Sequence, residues 1–194
     1  MQNIAFLKGT QVYLRPYAPE TDAAKVHQWF NDPEVTHFMV TGRYPTTELQ
    51  ARALLEAQVR SEEHVVFVVV DSATEKPLGL VGLYDMDMVV RKAEMRIIIG
   101  EKEYWGKGVG TEAVELITYY GFDRLQLNKV YLGVMEENIK AVKAYEKAGF
   151  AHEGVLKDDL FRNSRYYDCV NMALLRKDYY PDLFKKYSEK FSIN

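Results

Sequence analysis

A chain of 194 residues is long enough for one sizeable core and short of the length at which domains usually divide. Apolar residues at 47% and charged ones at 27% are ordinary for a soluble globular chain. A formal net charge of −3, with both signs interleaved, argues against a basic nucleic-acid face and against a polybasic membrane patch. A single cysteine, Cys169, excludes an internal disulfide and a Cys-rich zinc site. Met1–Lys8 lacks the parts of a signal peptide, and the longest apolar run, Val65–Val70, falls far short of a membrane span. A cytoplasmic protein is expected.

In chain order, Val12–Tyr17 alternates apolar and polar residues and reads as a strand, closed by Pro16 and Pro19. Thr21 or Asp22 offers a cap for a helix carrying Ala23, Val26 and Trp29–Phe30. Asn31-Asp32-Pro33-Glu34 ends it and offers a further cap with proline at the first helical position. The segment Thr36–Pro45 has no period and reads as a loop; Thr46-Thr47-Glu48 opens a second helix running to about Arg60. Val65–Val70 has the length and β-branching of a buried strand, followed by a hairpin into Pro77–Tyr84. Lys92–Gly100 is the next strand, and a glycine-rich loop over Tyr104–Gly110 leads into a helix with Ala113, Ile117 and Tyr120 on one stripe. Val130–Val134 is a strand, Asn138–Ala148 a helix stopped by Gly149, and Tyr166–Leu175 a last strand. The tail 176–194 is mixed, with one helical turn around Asp182–Tyr187. No repeat or linker divides the chain, so one domain over 1–194 is expected, an α/β fold with a mixed sheet and helices on both faces.

The sharpest local signal is Trp105-Gly106-Lys107-Gly108-Val109-Gly110-Thr111, between a strand and a helix. Three alternate glycines let backbone approach a ligand closely, and the helix start adds unpaired N–H groups and a positive dipole end, which suits a phosphate or pyrophosphate. A P-loop needs Ser or Thr after its Gly-Lys pair, where this chain has Gly108; a dinucleotide fingerprint needs glycine where it has Thr111. A plain glycine turn is the alternative.

Two motifs in order resemble the GNAT superfamily of acetyltransferases. The first is Ala93–Gly100 followed by Tyr104–Thr111; the second is Asn138–Phe150, with its Asn…Tyr-Glu-Lys-x-Gly-Phe pattern. The resemblance runs from about Leu14 to Leu175, and Trp105-Gly106 is similar to the branch of ribosomal-protein N-terminal and spermidine acetyltransferases. It implies a mostly antiparallel central sheet of about seven strands, with acetyl-CoA as co-substrate. It also implies that the backbone of Ile97, Ile98 and Ile99 bonds the pantetheine arm and that Trp105, Gly106, Lys107, Gly108, Val109, Gly110 and Thr111 form the pyrophosphate loop. Asn138 would hold the arm again, and Tyr145 would stand beside the thioester sulfur. Asn138 and Tyr145 are seven residues apart, nearly two turns, so they share one helix face.

Acetyl transfer needs a neutral amine, and an alkylamine is only about 0.04% neutral at pH 7, a cost of roughly 4–5 kcal/mol. A proton acceptor is therefore useful, and Glu94 is the candidate; its alternative is an ion pair with Arg96 or Lys92. Tyr145 is the candidate acid, packing being its alternative, and the N–H of Ile97 is the candidate oxyanion donor. No metal is expected, since His27, His37, His64 and His152 lack ligand spacing. The acceptor is expected to be a small-molecule amine, polyamine or amino sugar, gripped by Trp29–Leu55 and Lys157–Tyr167. Asp85, Asp87, Glu94, Asp158 and Asp159 suit a polycation, while Arg43, Arg91, Arg162 and Arg165 suit an anionic acceptor, and Thr36–Thr47 has no acid. A protein N-terminus, a non-catalytic acyl-CoA-binding module and a nucleotide-binding protein are the other readings. The tyrosine pairs 119–120, 166–167 and 179–180 suit packing, the lining of a substrate groove or contact with a second copy of the chain in a homodimer.

Overall fold

The run Val65–Val70 is apolar throughout because successive residues face different cores on the two sides of a sheet. In the computed structural model, which describes residues 4–180 and 182–191, eight strands form that sheet. They are β1 (Leu7–Lys8), β2 (Val12–Pro16), β3 (Val65–Asp71), β4 (Pro77–Asp87), β5 (Lys92–Ile99), β6 (Lys129–Met135), β7 (Ala151–Arg162) and β8 (Arg165–Leu175), in the order β1-β2-β3-β4-β5-β6-β8-β7. All neighbours run antiparallel except β5 and β6. Two of the eight, β1 and β7, have no counterpart among the strands placed in chain order from the sequence; β1 has only two pairs, Leu7 with Leu14 and Lys8 with Tyr13, too few to leave an alternation.

Among the described residues, six α-helices cover the sheet: α1 (Pro19–Asn31), α2 (Glu48–Arg60), α3 (Val109–Asp123), α4 (Ile139–Lys147), α5 (Arg176–Tyr179) and α6 (Leu183–Phe191). Phe67 and Val69 of β3 join a core with Ala113, Leu116 and Ile117 of α3, whereas Val66, Val68 and Val70 join a second core with Val26 and Trp29 of α1 and Leu55 of α2. The period-two geometry of a strand sorts them.

Several ends differ from expectation. Helix α1 begins after Ala18, with Pro19 in its first turn, rather than at Thr21 or Asp22. Asp22 is instead buried in a bidentate pair with Arg15, two contacts of 2.7 Å. No helix follows Pro33; Asp32 Oδ1 accepts from the N–H groups of Glu34 and Val35, closing a turn. Helix α2 starts as expected, on a capping box in which Thr47 and Gln50 bond reciprocally. The tail carries two helices rather than one turn, and both Tyr179 and Tyr187 are fully buried there. Pro181 and 192–194, parts of that tail, lie outside the described residues. Among the described residues, no helix is long and apolar enough to cross a membrane.

Candidate active site

The site begins where two strands part. β5 and β6 pair only from Lys92 with Lys129 to Glu94 with Tyr131, while β5 stays paired with β4 as far as Ile99 with Gly79. From Met95 onward β5 therefore has one edge without a strand. Alternation decides which residues use it. Gly100 N donates to Leu78 O at 2.8 Å, and a Cβ added at Gly79 would lie 1.9 Å from Ile98 O, so Gly100 and Ile98 turn their main chain toward β4. Ile97 and Ile99 then face the open edge. Of the three isoleucines expected to bond a pantetheine arm, Ile98 is directed away from it, and the carbonyl of Ile99 already accepts from Trp105 Nε1 at 2.8 Å. Ile97 is the residue best placed to pair with an extended ligand.

A cavity of about 890 Å³ fills the gap. Its walls include Glu94, Arg96 and Ile97 of β5, Tyr131 of β6, and Asn138 and Tyr145 of the α4 segment. Four expected site residues, Glu94, Ile97, Asn138 and Tyr145, thus meet at one opening. Asn138 caps α4, its side-chain oxygen accepting from Ala141 N at 3.3 Å, which leaves its amide NH₂ as the group for a ligand. At the other end of α4, Gly149 N donates to Glu146 O and Phe150 N to Tyr145 O, both at 3.0 Å, with Gly149 at φ +96°. This pair of bonds is a Schellman ending, and its apolar contact is the Tyr145–Phe150 ring pair at 6.2 Å. The ring of Tyr145 is held by the helix stop itself. Its hydroxyl makes no hydrogen bond among the described residues, and desolvation pushes the phenol up to about 12, so it keeps its proton at neutral pH.

The glycine loop lies outside that cavity's walls. After β5 a 3-10 turn over Lys102–Tyr104 leads to Gly106 and Gly108, at φ +74° and +89°. A Cβ at Gly106 would meet nothing within 4 Å, and one at Gly108 only Gln11 Nε2 at 3.5 Å. These two glycines answer to the left-handed backbone, not to crowding, and the surface above them is open. Gly108 caps α3 without a side chain, so the N–H groups of Val109, Gly110 and Thr111 have no helical partner. Val109 is buried, so only its main chain serves; Gly110 packs toward Ile99 with a Cβ position at an ordinary 3.6 Å. Trp105 is half-exposed and pinned to Ile99, and Lys107 Nζ sits 5.5 Å over the Tyr104 ring. The cradle fits a diphosphate. Gly108→Ala should therefore weaken CoA binding about tenfold through left-handed strain of about 1–2 kcal/mol, whereas Gly110→Ala should leave it unchanged. Calorimetric titration with CoA reads both, and equal Kd values for the two variants would refute the cradle.

Two carboxylates missed in the sequence hold this loop. Glu112, buried in the first turn of α3, accepts from Thr10 N at 2.6 Å, Gln11 N at 2.8 Å and Val12 N at 3.2 Å. Burial pushes its carboxyl up, but these bonds and the Lys190 charge outweigh it and leave it below the usual range. Glu101 accepts from Trp29 Nε1 at 3.0 Å and Lys25 Nζ at 3.1 Å and pairs with Lys76; burial opposes the charge, yet these contacts lower it to about 2. The available signal was the position of Glu112 just after the helix start.

Of the eight charged residues on the cavity wall, four are paired, while Arg43, Lys92, Arg162 and Asp159 have no ion pair among the described residues. Arg96 bonds Glu94 at 2.5 Å and Asp85 at 2.9 Å and lies 4.7 Å over the Tyr84 ring. Lys129 pairs with Glu153 at 2.6 Å. Asp159 alone of the cavity's carboxylates has no ion pair among the described residues. Of the other expected acids, Asp87 bonds the N–H groups of Val89 and Val90, and Asp158 does not line the cavity. Arg165 pairs with Glu137, and Arg91 also lies outside the cavity.

Comparisons with known proteins place the chain in a family. A model of the acetyltransferase (GNAT) domain matches residues 11–151. The spermidine N(1)-acetyltransferase of Escherichia coli K12 is 36% identical over 168 residues, 87% of this chain and 88% of the relative. A crystal structure of spermidine N-acetyltransferase from Vibrio cholerae, in complex with CoA and spermine, superposes with a TM-score of 0.80 at 32% identity, covering 87% of this chain and 98% of that one. The parted strands, the glycine cradle at a helix start and the Asn138–Phe150 helix thus have one explanation: the chain belongs to the GNAT acetyltransferase family and is an acetyl-CoA-dependent N-acetyltransferase.

Proposed function

We propose that the acceptor is a small polyamine, bound with one amine facing Tyr145 and a second, charged one near Asp159. The observation that carries this reading is the cavity between β5 and β6, where Glu94, Ile97 and Tyr145 face the same space and Asp159 stands without a cation. The spermidine acetyltransferases similar to this chain support the class. Thr36–Thr47 contributes no acid, so one unpaired carboxylate rather than a row of them would select the acceptor.

In the transfer, an N–C bond forms as a C–S bond breaks, the amine loses a proton and the thiolate needs one. Ile97 N–H would stabilise the oxyanion at the open edge, and the Asn138 amide would steady the arm. Tyr145 would supply the sulfur. A phenol at about 12 giving its proton outright to a thiolate near 8.5 is uphill by roughly 5 kcal/mol. The donation therefore works only if the proton leaving the amine returns to the phenol in the same event. Glu94, paired with Arg96, would serve as the charge that draws the ammonium in and relays its proton through water.

A thiol-release assay with spermidine, an alkyl diamine, an amino sugar and an N-terminal peptide tests the reading. Spermidine should give the highest kcat/KM, and Asp159→Asn should raise its KM about tenfold, as expected for a lost charged contact. Preference for the peptide would favour a protein N-terminus and overturn the polyamine assignment.

A further inference from the structure

The segment 33–45 has no helix or strand, yet it is held at three places. At its base, Asn31 Nδ2 donates to Thr46 O at 2.7 Å and Asn31 Oδ1 accepts from Thr46 N at 3.0 Å. Within it, Gly42 at φ +88° lies against buried Thr36, so close that a Cβ would sit 2.4 Å from Thr36 Oγ1. At its tip the partner comes from the far end of the chain. Arg162 Nη1 donates to Met39 O at 2.6 Å and Thr41 O at 3.2 Å, and Nη2 to Thr36 Oγ1 at 3.4 Å. Arg162 has no carboxylate partner among the described residues, so its fork is spent on this loop.

The mounting of Arg162 is stiff. It is the last residue of β7 and pairs with Arg165 across Asn163-Ser164, both at positive φ, the two-residue turn whose twist suits a tight hairpin. What it holds is a wall. Met39 and Thr41 line the main cavity and also a smaller, partly open apolar hollow of about 120 Å³, lined too by Leu54, Leu55, Leu80 and Tyr84. That hollow has room for roughly four methylene-sized groups and has Arg96 as its only charged lining residue.

We propose that Arg162 is a positioning residue for the acceptor: it latches residues 36–41 so that Met39 and Thr41 shape a hollow for an uncharged methylene segment next to the reacting amine. This rests on reading the cavity as the acceptor site. The guanidinium touches the loop and not the reacting atoms, so its loss should act on amine recognition and spare the cofactor side. Tryptic cleavage after exposed Arg43 reports the latch without any substrate.

The full chain is compared with Arg162→Ala and Arg162→Lys, the latter retaining the charge and one contact. Arg162→Ala should raise the KM for spermidine about tenfold or more with kcat within about threefold, leave CoA affinity unchanged and speed cleavage after Arg43 about tenfold. Arg162→Lys should fall between. Unchanged cleavage in either variant overturns the latch, and faster cleavage with an unchanged spermidine KM overturns the role in recognition. A parallel loss of CoA affinity makes Arg162 merely structural and overturns it too. A wild-type enzyme inert to every amine sinks the acceptor reading itself, and with it the recognition role, whatever the cleavage rates.

Discussion

Tyr145→Phe is expected to lower kcat about a hundredfold or more, while the Kd for acetyl-CoA stays within about twofold. The substitution is clean. Phenylalanine keeps the ring packed on Phe150 and keeps the Schellman ending of α4, and no described residue bonds the hydroxyl that is removed. Only the hydroxyl of a cavity-lining residue is lost. Because desolvation raises the phenol to about 12, the acid form is present at all lower pH and is lost only as pH rises through that value. The wild-type kcat profile should accordingly show no alkaline fall from this group below about pH 10. Stopped-flow thiol release together with equilibrium binding of acetyl-CoA decides the matter; full turnover by the phenylalanine enzyme would strip Tyr145 of its role as acid.

The largest effect on stability is expected at Glu112. Replacing it by alanine leaves the N–H groups of Thr10, Gln11 and Val12 without their acceptor, a loss of about 2–4 kcal/mol when water re-satisfies the two outer ones. The pH dependence has a definite sign. The folded carboxyl lies below its ordinary value, so its stabilisation is complete above the unfolded pKa of about 4.3 and disappears as pH falls through the lower, folded one. Urea unfolding at pH 7 should separate wild type from Glu112→Ala widely, and the gap should narrow toward pH 3. A constant gap across that range would show that packing, not the charge, is what alanine removes.

Much of this was written in residue chemistry that short windows reveal. The Asn138 cap, the Gly149 stop and the Gly106 and Gly108 positions are local devices, each set by a backbone angle or a helix end, and the structure has them where the sequence offers them. What escaped depends on distant partners. Asp22 looked like a cap until Arg15 claimed it, and Arg162 looked like an anion ligand until its fork met carbonyls of residues 39 and 41. β7 left almost no alternation before residue 157, because as the outermost strand it exposes nearly every residue on both faces. Ile98 could be told from Ile97 and Ile99 only by the register with Gly79, which no reading of β5 alone contains.

Helix α6 leans on the helix that carries Tyr145. Tyr187 of α6 donates its hydroxyl to the carbonyl of Ala148 at 2.9 Å, and Leu183 rests against Gly149. Both contacts fall on the stop of the helix that carries Tyr145, making α6 a buttress whose footing is outside the sheet. Warming that frays this buttress would let the phenol wander while the strands stay zipped, so activity would fade at a lower temperature than the fold.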